Sequence, residues 1–186
     1  MQTTNIIFAG VGGQGIILAS RVVAECALSA GYIVKENELH GMAQRGGSVI
    51  SHVRFGEKVY SPLIAEGEAD YLVAMEELEG LRDTVYLKPG GRLLLNQRKI
   101  MPAASLDYPQ DIKRQLKKSG FKVDEINALE IATAIGSAKA ENMVLLGALA
   151  KYLPFPNVAW ERVIEKAVPE KTIEVNLVAF KKGRGG

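Results

Sequence analysis

The sequence predicts an α/β protein with a Rossmann-like open sheet, mostly parallel with an antiparallel hairpin, and a helical C-terminal third. Three observations carry this. A short apolar run, Asn5–Ala9, leads into Gly10-Val11-Gly12-Gly13-Gln14-Gly15, and a long apolar helical pattern leads out of it. Further apolar strand patterns alternate with helical ones through the middle of the chain. From Ala128 onward the pattern is helical almost throughout.

The glycine stretch satisfies G-x-G-x-x-G at Gly10, Gly12 and Gly15. Glycine supplies the positive φ of a tight turn and lets a helix pack close to a strand. It also opens the free N–H groups of the helix start to an anion. The same turn occurs without any nucleotide, so the motif alone leaves a binding role and a structural one open.

With 186 residues and 47% hydrophobic content, the chain reads as a single domain, 1–186, with a proper core. A net charge of +2 gives no bulk argument for nucleic acid. The single cysteine, Cys26, falls inside the first helix pattern and reads as a small buried hydrophobe. One cysteine rules out an internal disulfide framework and a cluster ligated by this chain alone, and it suits a reducing cytoplasm. The apolar start lacks a basic leader and is broken by the glycine turn, so neither a signal peptide nor a membrane span is expected.

Asn5–Ala9 is apolar without alternation, as in a strand covered on both faces. In the helix Gln14–Ala30, Arg21, Glu25 and Ser29 recur every fourth residue and mark one wet stripe, closed by Gly31. Tyr32–Lys35 reads as a short strand. Glu36–Gly47 has no clean period and ends in two glycines. It reads as a loop at the carboxyl end of a parallel strand, where open α/β sheets bind ligands. Ser48–Phe55 alternates and reads as a half-exposed strand, turning at Gly56-Glu57 into Lys58–Ser61 as a hairpin. Tyr71–Met75 is a covered strand, Glu76–Arg82 a short helix, Leu87–Gly91 a turn and Arg92–Leu95 a strand. Arg98–Pro109 looks irregular. Gln110–Ser119 is a polar helix and Phe121–Ile126 a strand. The helices Ala128–Ile135, Asn142–Tyr152, Val158–Val168 and Thr172–Lys181 follow, with a frayed basic tail.

Among candidate functional groups, His40 lies near Glu36, Glu38 and Arg45 and could bind a ligand or carry a proton. A solvated loop histidine is the plainer reading. His52 reads as a cross-strand or interface contact. Arg45 offers a planar fork to a carboxylate or phosphate, and Gly46 and Gly47 let that group approach. Glu36 stands where a dinucleotide-binding protein keeps an acid for the ribose. Lys113, Arg114, Lys117 and Lys118 read as a solvated face beside Asp107 and Asp111. No metal-ligand cluster, no Walker lysine motif and no activated nucleophile stands out.

Several blocks together resemble one family. Val11-Gly12-Gly13-Gln14-Gly15-Ile16, His40-Gly41-Met42-Ala43-Gln44-Arg45-Gly46-Gly47-Ser48-Val49 and Ser61-Pro62-Leu63-Ile64 are similar to the gamma-type domain of 2-oxoacid:ferredoxin oxidoreductases, in the form of the indolepyruvate branch. Ala69–Leu72, Leu87–Gly91, Asn142–Leu149 and Glu174–Phe180 extend the match over nearly the whole chain. The resemblance implies oxidative decarboxylation of arylpyruvates to acyl-CoA, with ferredoxin as acceptor. It implies a large partner subunit carrying thiamine diphosphate, magnesium and iron–sulfur clusters, with coenzyme A as cosubstrate. This chain would not be active alone and would supply no catalytic residue or metal ligand. Its ligand- or partner-facing residues would be Gly10, Gly12, Gly13, Gln14, Gly15, His40, Gln44, Arg45, Gly46 and Gly47. An exposed docking face would favour a homodimer of the isolated chain. Two other readings stay open: a free-standing dinucleotide-binding protein or small NAD(P)/flavin oxidoreductase using Glu36, and an assembly module with an inert glycine turn.

Overall fold

The computed structural model describes residues 3–40, 47–102 and 107–185. Six strands form one sheet in the order β2-β3-β1-β4-β5-β6. They are β1 (Thr4–Val11), β2 (Ile33–His40), β3 (Ser48–Gly56), β4 (Ala69–Ala74), β5 (Leu87–Asn96) and β6 (Lys122–Ile126). β1, β4, β5 and β6 run parallel, whereas β3 lies antiparallel between β1 and β2.

The central strands are apolar on both faces because helices cover both. Ile6, Phe8, Val73 and Leu94 face α1 (Ile16–Ser29), α4 (Ala128–Ala134), α5 (Glu141–Ala150), α6 (Asn157–Ala167) and α7 (Ile173–Arg184). Ile7, Ala9, Leu72, Leu93 and Leu95 face the smaller pair α2 (Glu77–Arg82) and α3 (Ile112–Lys118). Alternate residues thus feed two cores. In the larger one Trp160 is fully buried between Phe155 and Phe180, at 5.5 Å from each ring. No helix among the described residues is long and apolar enough to cross a membrane.

The expected mixed sheet and helical last third are present, but the hairpin sits elsewhere. Glu36 to His40 continue β2 and pair with Val53 to Val49 of β3. Lys58–Ser61 is not a strand. The polar run 36–40 hides its strand character because β2 is an edge, where charged side chains are tolerated. β3 is not half-exposed: as an inner strand it buries Ser51, His52, Val53 and Phe55. Leu87–Gly91 is not a separate turn but the irregular start of β5, where the register with β4 jumps between Ala69 and Tyr71. The stripe Arg21, Glu25, Ser29 is exposed as expected. On α3, Arg114 pairs with Asp111 at 2.7 Å and Lys113 with Glu125 at 3.0 Å, so that basic face is a locally neutralised surface.

The tail is not frayed where it is described. α7 runs to Arg184 and lies so close to α5 that a Cβ on Gly147 would strike the carbonyl oxygen of Phe180. One on Gly183 would strike that of Val144. Two helices reach such contact only through small residues. Gly147→Ala and Gly183→Ala should each destabilise the fold by about 1–3 kcal/mol through forced separation of the pair. For a chain of this size that lowers the melting temperature by roughly 3–10 °C, read by calorimetry.

Asp83 ends α2, is 6% exposed, and leaves Oδ2 without a partner. Burial, and then the neighbouring Glu79, push its carboxyl up to about 7. The unfolded chain ionises Asp83 near its ordinary value, while the native state resists ionisation up to about 7. Above pH 4 the native state therefore holds the extra proton, and stability falls as pH rises toward 7. Asp83→Asn should raise the melting temperature at pH 8 and lose that gain toward pH 4, as a melting series against pH would show.

Candidate functional site

The glycine turn sits at the C-terminal end of β1. Gly15 precedes α1 in the left-handed region, φ 74°, and Gly13 has φ 97°. Gly10 has an ordinary φ; its need for glycine is contact, since a Cβ there would lie 2.7 Å from Gln14 Oε1 and 2.8 Å from Met75 Cβ. No side chain caps the start of α1, so its first amides face outward.

Gln14 is committed internally at both ends. Its Oε1 accepts from the Val11 N–H at 2.8 Å, and its Nε2 donates to the Met75 carbonyl at 2.9 Å. Gln14 therefore shapes the turn. Met75 is also the target of Asn96, whose Nδ2 donates to the Met75 carbonyl at 3.1 Å and to Glu141 Oε2 at 3.0 Å. Asn96 Oδ1 accepts from the Ala128 N–H at 3.2 Å, at the start of α4. Asn142 Nδ2 donates to the Gly15 carbonyl at 3.3 Å. These three amide side chains tie the carboxyl ends of β1, β4 and β5 to the starts of α1, α4 and α5.

Between them lies a cleft of about 690 Å³, reached by Gly13, Gln14, Gly15, Arg98, Lys139 and Asn142. Its position is the point where successive strands pass to opposite sides of β1, the place where open α/β sheets take ligands. Among the described residues, neither Arg98 nor Lys139 has an ion-pair partner. Arg98 is held there through its backbone. Its carbonyl accepts from the Glu77 N–H at 2.9 Å, and the Ile100 N–H donates to Glu76 Oε1 at 3.1 Å. Glu76 is 1% exposed and fully satisfied: Oε2 caps α2 through Leu78 and Glu79, and Oε1 accepts the Tyr108 hydroxyl at 2.5 Å. Burial, then that carboxylate, push the Tyr108 hydroxyl far up, so it stays a donor.

The two sequence blocks meet at their described ends. The Gly12 N–H donates to the Gly47 carbonyl at 2.9 Å, and Val11 and Gly10 pair with Ser48 and Val49. His40 closes β2 opposite Val49; its side chain lies outside the described residues. Gln44, Arg45 and Gly46 also lie outside them. Glu36 does not stand at a strand end. It faces Val53 in the middle of β2, four residues short of His40, or about 13 Å along the strand. β3 separates it from β1, so it cannot serve a ribose beside the glycine turn. His52 is buried, 2% exposed, with Nδ1 accepting from the Ile64 N–H at 3.0 Å. Burial and then Arg54 hold its pKa low, so the ring stays neutral and structural.

Sequence reasoning missed Asn96, Arg98, Lys139 and Glu141. Each follows a strand or precedes a helix singly, without a motif, and only the fold brings them to one cleft. Asn142 stood in a block noticed for its apolar residues.

Residues 5–185 match the family described as Pyruvate ferredoxin/flavodoxin oxidoreductase. The chain is 41% identical, over 98% of its length and 95% of the relative's, to indolepyruvate oxidoreductase subunit IorB of Thermococcus kodakarensis. The crystal structure of a keto/oxoacid ferredoxin oxidoreductase gamma subunit from Geobacter sulfurreducens superposes with a TM-score of 0.74 at 27% identity, covering 97% of this chain and 95% of that one. A 2-oxoglutarate:ferredoxin oxidoreductase from Magnetococcus marinus, with 2-oxoglutarate, coenzyme A and succinyl-CoA bound, shares the fold with a TM-score of 0.79 at 23% identity. There the match covers all of this chain and 31% of the other. By sequence along nearly its whole length, and by the sheet that length forms, the chain belongs to the pyruvate ferredoxin/flavodoxin oxidoreductase family.

Proposed function

We propose that this chain is the small subunit of a 2-oxoacid:ferredoxin oxidoreductase acting on indolepyruvate and related arylpyruvates. The complex converts the 2-oxoacid oxidatively to acyl-CoA and carbon dioxide and passes the electrons to ferredoxin. The relatives' names support the class of complex, and the indolepyruvate branch is supported by the 41% relative. Thiamine diphosphate, magnesium and iron–sulfur clusters belong to a large partner subunit. Among the described residues, the donors that a metal or a cluster needs are not grouped. Cys26 is buried, with its thiol pushed up to about 12 by burial and then by Glu25. The described residues hold no group of three side chains arranged for a metal.

The chain's own contribution is to seat coenzyme A. The observation that carries this is the cleft itself, where Arg98 and Lys139, two cations with no ion-pair partner among the described residues, line the same space as the uncapped start of α1. Phosphate groups are what such a combination holds. Gly13 has open space around it and lets a phosphate oxygen reach backbone N–H groups. We further propose His40, Gln44, Arg45, Gly46 and Gly47 as partner- or ligand-facing residues; of these, Gln44, Arg45 and Gly46 lie outside the described residues. The planar guanidinium of Arg45 suits a further contact to an anionic group of coenzyme A or of the partner. The reading of a free dinucleotide-binding protein loses its ribose acid, since Glu36 lies mid-strand.

In the assembled complex, Arg98→Ala and Lys139→Ala should each raise KM for coenzyme A by about tenfold, the size of one lost charge-assisted contact. The value of kcat at saturating coenzyme A should stay within about twofold, because the lost interaction is a binding one. Steady-state kinetics on the reconstituted enzyme decides this. An unchanged KM in both variants rejects the cleft as the coenzyme site.

A further inference from the structure

A second groove of about 680 Å³ runs between α1 and α6, away from the glycine turn. Its floor is apolar, built from Val22, Ala159 and Val163. Its rim carries Arg21, Arg162 and Lys166 against one carboxylate, Glu25. Among the described residues none of these three cations has an ion-pair partner. Val158, at the start of α6, is 71% exposed, and Leu28, on the Arg21–Glu25 side of α1, is 58% exposed. An apolar side chain, Val158, thus stands bare at the margin of a cationic furrow, with Leu28 bare on the adjoining face of α1.

We infer that this groove receives an acidic amphipathic helix of the large companion subunit. The inference rests on the proposed function, since it requires a companion. Two packed helices leave a trough into which the ridge of a third fits. α1 spans about 21 Å and α6 about 16 Å, room for three to four turns. An apolar stripe on the incoming helix covers Val158 with the partly exposed Ala159 and Ala167. Carboxylates at its flanks meet Arg162 and Lys166, which have no ion-pair partner among the described residues, beside Arg21, whose charge also acts on Glu36. Charge of that sign sets orientation and speeds encounter. A second copy is a poor occupant. α6 has carboxylates a turn apart, Glu161 and Glu165, but Glu161 is already paired with Lys181 at 3.0 Å. A small ligand is also poorly served, for the polar side chains of the groove, Arg21, Glu25, Ser29, Arg162 and Lys166, are all exposed.

The test is hydroxyl-radical footprinting of the co-purified complex against the free chain, with Arg162→Glu/Lys166→Glu as a second arm. Both changed residues are exposed, so the fold is kept. Val158 should be labelled in the free chain and shielded in the complex. The reversed variant should associate at least tenfold more weakly, with a flatter dependence on salt. Labelling of Val158 that is unchanged by assembly, or a reversed variant that binds as tightly as the parent, overturns the groove and leaves the proposed function standing. Concentration-dependent shielding in the free chain assigns the groove to a second copy and overturns it as well. A chain that purifies with no companion overturns both readings.

Discussion

The carbonyl of Met75 is the point on which the site depends. It accepts two side-chain amides, one from Gln14 in the glycine turn and one from Asn96 at the end of β5. Through them the ends of three parallel strands hold one geometry. A carbonyl just past a buried strand end needs partners, because water does not reach it. Side-chain amides provide those partners with a direction as well as an energy. The cleft floor is therefore rigid where it must be, while its cations remain uncommitted.

The insertion of β3 between β1 and β2 is the second determinant. In a doubly wound sheet the strand after the first helix lies beside the first strand, and its end carries the ribose acid. Here an antiparallel strand takes that place and pushes β2 to the edge. The glycine turn survives because it answers to local demands: a sharp reversal and close contact with Met75. The dinucleotide reading loses its ribose acid, because the topology moves Glu36 away from the turn. A motif thus records a local shape, and its use depends on what the rest of the sheet sets beside it.

Much of this was legible in the residues. Continuous apolar runs located β1 and β4, and the four-residue spacing of Arg21, Glu25 and Ser29 located the wet side of α1. Glycine and proline located most helix ends. What escaped had a physical reason. β2 continues through Glu36-Asn37-Glu38, a polar run that periodicity assigns to a loop, because an edge strand has no second neighbour to demand apolar residues. β3 alternates like a half-exposed strand, yet its polar members Ser51 and His52 are buried, since Ile64 reaches over to satisfy the histidine. Gly183 looked like part of a loose tail, although its missing side chain is what lets α7 dock. The cations of the cleft were invisible singly, as each comes from a different connection.

The same edge strand has a consequence for the life of the free polypeptide. An open row of backbone amides invites any other extended chain to add itself. Lys35, Glu36 and Glu38 line that row with both signs of charge, and a twofold pairing of two such edges about residue 36, 37 or 38 sets at least one carboxylate against another or against an apolar neighbour. Newly synthesised copies are kept from stacking edge to edge, so solubility is written into the strand whose polarity disguised it.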